Sequence, residues 1–223
     1  MQDRGIAQGS IIDTPEGDWY AYLFRDYGAV GRIPYLVPVK WENDWPVLGF
    51  DGVVPDTLDI AVANINAAGI VASDEFDREA GDPDFSLAWQ WNHNPDPAFW
   101  SLTQRPGFLR LSNGRLDEDV LQTRNTLTQR AFGPQSTAEV ALETSGMKDG
   151  DMAGLIALQL NYGFVGVKKE GGQTYLVMVS VKDDAAIEQE SVLLSGERVY
   201  LKISCDFEDR KDQANFYLII VVY

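Results

Sequence analysis

Three tryptophans pose the first chemical question. In the stretch WQWNHNPDPAFW, Trp89 and Trp91 stand two residues apart and Trp100 opens the next apolar run. A two-residue spacing puts both indoles on one face of a strand. Tyr162 and Phe164 repeat that spacing in LNYGFVG. Flat rings stack on the apolar faces of sugars, and neighbouring Asn and Gln side chains bond hydroxyls. The same rings also suit the interior between two sheets, so residue type leaves sugar contact and core filling both open.

Other chemistries find less support. His93 is the only histidine and Cys205 the only cysteine, which leaves no zinc-type ligand set. His93 lies among Asn, Asp and Pro and reads as a hydrogen-bonded loop residue; no G-x-S-x-G elbow accompanies it. Nor does a phosphate-binding glycine loop precede a helix. Cys205 alternates with apolar residues in YLKISCDF, which is a packed strand position. Acidic residues gather in DEFDREAGDPD, RLDEDV and FEDRKD, as solvated turns do. Glycoside hydrolysis by acid and base needs two chosen carboxyls roughly 5–9.5 Å apart across one pocket, and abundance does not supply that. Oxygen-rich turns such as SDEFD suit a hard cation, which makes Asp74 and Asp206 the candidate ligands for a structural Ca²⁺. No other cofactor is called for.

The bulk properties narrow the partners. The chain has 223 residues and a formal net charge of −16, so a nucleic acid or an anionic membrane would be repelled. A neutral polysaccharide carries no such penalty. Apolar residues form 45 % of the chain, enough for a core. No apolar run reaches the ~18 residues of a membrane span, and no secretory leader is visible, which leaves the compartment open.

The elements that must position these residues are strands. SIID, DWYAYLFR, RIPYLVPVKW and WPVLGF read as a four-stranded antiparallel meander over residues 1–50. Residues 51–72 lack aromatics and read as a linker. From residue 73 to 223 about ten further apolar or alternating runs, split by turns such as MKDGD and KEGGQ, predict an all-β, two-sheet antiparallel sandwich. Only PDTLDIAVANINA and DDAAIEQES look helical.

Long segments then carry a family resemblance. DTPEGDWYAYLFRDYGAVGRIPYLVPVKWENDWPVLG resembles the end of a glycoside hydrolase family 43 catalytic domain. WQWNHNPDPAFWSL, RPGFLRL, RNTLTQRAFGP and GMKDGDMAGLIALQLNYGFVGVKKEGG resemble the C-terminal sandwich of that family's β-xylosidases and α-L-arabinofuranosidases. The resemblance implies a remnant of the last blade of a five-bladed β-propeller, followed by a concanavalin-A-like sandwich that is cut or altered at its end. It implies an inverting hydrolase of xylan, arabinoxylan or xylo-oligosaccharides. The segments that carry the family's three catalytic carboxylates lie outside the part matched, so no catalytic residue is assigned and the chain alone is expected to be inactive. Arg32, in GAVGRIPYL, matches the arginine that binds hydroxyls of the non-reducing sugar. Ala7 stands where the family usually has a histidine near a central ion. Two other readings stay open: a free carbohydrate-binding module and a purely structural domain. The blade is expected to meet missing blades or a second copy of the chain, because alone it would leave large apolar residues in water.

Overall fold

The computed structural model describes residues 5–61, 66, 68–79 and 84–219. It is all-β. Two compact units are formed, one of Met1–Ala67 with Phe207–Asp212 and the other of Ala68–Asp206 with Gln213–Tyr223.

The first unit is a meander of β1 (Ala7–Asp13), β2 (Trp19–Asp26), β3 (Arg32–Glu42) and β4 (Trp45–Leu48), paired in that order. Asn43 and Asp44 both adopt positive φ, the two-residue hairpin geometry that matches strand twist. Ala21 and Val37 pair across β2 and β3 and are fully buried. Residues 49–53 stay with this sheet through the Gly49 amide to the Pro38 carbonyl, 2.7 Å, and a Phe50–Val53 bridge. The turn 207–212 also belongs here: the Arg210 guanidinium lies 5.0 Å from the Tyr27 ring centroid.

The second unit begins with four two-residue strands: β5 (Gln90–Trp91), β6 (Trp100–Ser101), β7 (Arg110–Leu111) and β8 (Leu127–Thr128). β5 pairs with β8 and β6 with β7. The longer runs expected here are cut short by side chains that capture the backbone. Ser101 Oγ accepts the Thr103 and Gln104 amides, and Asp96 Oδ1 accepts that of Ala98.

The long strands follow: β9 (Gln135–Glu143), β10 (Met152–Ala157), β11 (Tyr162–Glu170), β12 (Gln173–Lys182), β13 (Ala185–Leu193), β14 (Arg198–Asp206) and β15 (Gln213–Ile219). One sheet has the order β10-β11-β12-β13, the other β15-β14-β9. Alternation turns Val165, Val167 and Leu176 of the first sheet towards Val199, Leu201 and Ile203 of β14. These six form the core, with Val140, Leu142, Phe216 and Cys205 packed around them. Burial pushes the Cys205 thiol above its ordinary pKa, as befits a packed strand position.

One expectation fails. DDAAIEQES reads as helical, yet Ala185–Leu193 is strand β13, paired along β12. Asp183 and Asp184 both take positive φ and turn a tight hairpin, so the acidic pair makes a turn rather than a helix start. In the other helix-like window, residues 55–61 form no helix, and 62–65 and 67 lie outside the described residues. Among the described residues no helix is long and apolar enough to cross a membrane.

Candidate functional site

Arg32 opens β3 directly after Gly31, whose φ of +87° suits glycine alone. Its guanidinium lies over the Phe24 ring at 4.4 Å from the centroid. One edge meets Asp26, with Nε 3.5 Å from Oδ1. The side chain is still 66 % exposed. A ring under one face and a long ion pair at one edge orient the fork while leaving donors turned to solvent. Such a fork suits paired hydroxyl or carboxylate oxygens. Tyr27, which no sequence motif singles out, carries two guanidinium groups, Arg25 at 5.5 Å and Arg210 at 5.0 Å.

The tryptophans converge on one residue that sequence reasoning missed, Phe85. Its ring centroid is 5.3 Å from that of Trp100, 5.8 Å from Trp91 and 6.1 Å from Trp89. Trp91 and Trp100 stand 5.4 Å apart, and Phe76 reaches Trp89 at 5.6 Å. All five rings are half-buried, in tilted or edge-on contacts. The Trp100 indole N–H is buried with no hydrogen-bond partner among the described residues. The rings pack on one another through tilted and edge-on contacts, the geometry aromatic pairs prefer.

Asp74 anchors this cluster. Its Oδ2 accepts Arg78 at 2.6 Å and the Trp89 indole at 3.2 Å, while Oδ1 accepts the Phe76 amide at 2.9 Å. Burial pushes the carboxyl up, but the Arg78 hydrogen bond, the Phe76 amide, the Arg78 charge and Trp89 outweigh it and hold the pKa below the ordinary value. Asp206 closes β14, opposite Gln135 and Gln213. No group of three or more His, Cys, Asp or Glu is brought together among the described residues.

Tyr162 and Phe164 share the face of β11 turned away from the core. Tyr162 Oη donates to Asp119 Oδ1 at 3.4 Å; burial, then the Asp119 charge and hydrogen bond, push its pKa up. The same Oδ1 accepts the Leu121 amide at 2.8 Å. Leu121 presents its carbonyl to both His93 Nε2 and the Asn92 amide, which makes His93 a loop-bonded histidine as its turn composition suggests. The Phe164 ring lies over the cross-strand pair Gly154 and Gly166. A Cβ at either glycine would strike that ring and the facing backbone. We expect Gly166→Ala to destabilise the chain by roughly 1–3 kcal/mol, read as a lower midpoint in urea.

The comparisons follow this architecture. Residues 73–219 match the family model described as the β-xylosidase C-terminal concanavalin A-like domain. A bifunctional GH43-CE protein of Bacteroides eggerthii superposes with a TM-score of 0.91 at 51 % identity, over 99 % of this chain and 29 % of its own. A β-xylosidase of Formosa agariphila is 28 % identical over 85 % of this chain and 37 % of its own length. A non-reducing end α-L-arabinofuranosidase of Bacteroides ovatus is 25 % identical over 81 % of this chain and 35 % of its own. The chain thus spans about a third of the length of these relatives. On this match the chain belongs to the family of β-xylosidase C-terminal concanavalin A-like domains found in glycoside hydrolase family 43 proteins.

Proposed function

We propose that this chain works as part of a family 43 glycoside hydrolase acting on xylan, arabinoxylan or xylo-oligosaccharides. In this reading Arg32 binds hydroxyls of the terminal sugar, and the sandwich shapes one side of the sugar pocket. The observation that carries it is the Arg32 guanidinium, held on Phe24 and beside Asp26 with donors left to solvent. Relatives named as a β-xylosidase and an α-L-arabinofuranosidase support the substrate class. The meander supports the blade reading, since it exposes Ile11 and Trp41 on one face and Ile12 and Tyr22 on the other. A blade packs through both faces, and further blades are the natural cover.

Catalysis itself is assigned to carboxylates outside this chain. A positioned acid and base supply much of the acceleration in glycoside hydrolysis. The isolated chain should therefore hydrolyse neither an aryl β-xyloside nor an aryl α-L-arabinofuranoside above a buffer blank. Turnover that survives purification and disappears on changing a carboxylate of this chain, such as Asp26→Asn, would overturn the proposal.

A further inference from the structure

The arrangement that orients Arg32 recurs in the second unit, with two guanidinium groups in place of one. Arg105, Pro106, Gly107 and Phe108 form a tight turn, closed by the Phe108 amide on the Arg105 carbonyl at 3.1 Å. Proline in the second position and Gly107 at a φ of +78° in the third are what a type II turn demands. The Gly107 amide also donates to the Phe76 carbonyl at 3.1 Å, which fixes the turn to the chain behind it. The Arg105 guanidinium lies 3.6 Å from the Phe108 ring centroid, and the Arg198 guanidinium lies 5.9 Å from the same ring.

Glu143 sits between the two cations. It stands opposite Arg198 in the β9–β14 ladder, and Arg198 holds its Oε1 through both Nε and Nη2. Arg105 reaches Oε2 with Nη1 at 3.9 Å. Just beyond the pair, the Thr144 amide and hydroxyl both donate to the Glu197 carbonyl, at 2.7 and 3.1 Å, which ties the two strand ends together. The Arg105 and Arg198 side chains are 42 % and 46 % exposed. Arg105 has one face on a ring and a long ion pair at one edge, which leaves its planar fork available to a further pair of oxygens.

Charge selects the occupant. Two guanidinium groups around one carboxylate leave an excess positive charge, which favours an anion over a neutral hydroxyl pair. A chain of net charge −16 nevertheless repels a polyanion, so a lone carboxylate on an otherwise neutral molecule fits best. We propose that Arg105 and Arg198 bind the carboxylate of a hexuronate side group on xylan. The xylan backbone rests on the function proposed above, and the carboxylate rests on the two forks.

The test titrates the full chain with xylotriose carrying one glucuronate, read by the NMR signals of the arginine Nε–H groups. The Arg105 and Arg198 signals should shift at millimolar ligand. The same oligosaccharide with its carboxyl reduced to an alcohol should bind about fivefold more weakly, the worth of a well-placed exposed ion pair. Arg105→Gln should lose that preference, and Arg105→Lys should keep part of it, because the charge remains without the planar fork. Salt raised to about 0.3 M should shrink the preference by screening. Equal binding of the reduced oligosaccharide, acetate binding as well as the uronate, or a preference unchanged in Arg105→Gln would each overturn the proposal. A preference lost in Arg32→Gln and kept in Arg105→Gln would overturn it too, while leaving the reading of Arg32 intact.

Discussion

Asp74→Asn should lower stability by about 2–3 kcal/mol, since it removes one partner of a largely buried ion pair that also holds an indole. For a chain of this size that is a fall of roughly 5–10 °C in the calorimetric midpoint. The acid dependence gives the sign. A carboxyl held below its ordinary pKa contributes stability in full above its unfolded value, about 3.9, and loses it as pH falls through the lower folded value. The gap between the two proteins should therefore be widest at neutral pH and close below about pH 4. A chelator should leave both midpoints unchanged, because both Asp74 oxygens are engaged by Arg78, Trp89 and Phe76. A chelator-sensitive midpoint, with Asp74→Asn matching the parent protein, would instead support calcium at Asp74.

Local chemistry made much of the fold legible. The alternation of YLVMVSV, VYLKISC and FVGVKKE marks strands, and Gly171 and Gly172 mark the hairpin between β11 and β12. Trp89 and Trp91 were read as same-face residues of one strand on a period of two. The strand there, β5, is only Gln90–Trp91, and Trp89 precedes it. Phe85 lies in a segment with no periodicity, and only the chain's path brings it to three tryptophans. Asp74 reads as a cation ligand because oxygen-rich turns suit one; its ion pair with Arg78, four residues on, is a side-chain relation that composition does not give. β13 misled for a similar reason: two aspartates before an Ala- and Glu-containing run look like a helix start, and the open edge of β12 decides otherwise.

Non-local pairing was the least legible layer. β9 meets β14 across the whole four-stranded meander, with Gln135 opposite Asp206 and Glu143 opposite Arg198. Nothing in the sequence of either strand names the other. Arg32 was placed by resemblance; its support from Phe24 and Asp26 follows from the β2–β3 register, which puts Arg32 opposite Asp26.

The aromatic cluster offers the sharpest choice between sugar contact and packing. Phe85 touches Phe76, Trp89, Trp91 and Trp100. Aromatic pairs add about 0.5–1.5 kcal/mol each beyond area, so Phe85→Ala removes several contacts at once. A fully buried Phe→Ala change costs 3–5 kcal/mol, and a half-buried ring should fall at about 3. That is a drop of roughly 6–12 °C for a chain of this size. Water entering beside three indoles should also move the emission to longer wavelength, while Phe85→Leu, which keeps most of the apolar volume, should shift both readouts less. Xylo-oligosaccharides should leave the emission of the parent protein unchanged, because the ring faces are already in contact with one another. A platform for sugar would behave in the opposite way: Phe85→Ala would hold its midpoint, and the parent's emission would respond to xylo-oligosaccharide in a manner the variant had lost.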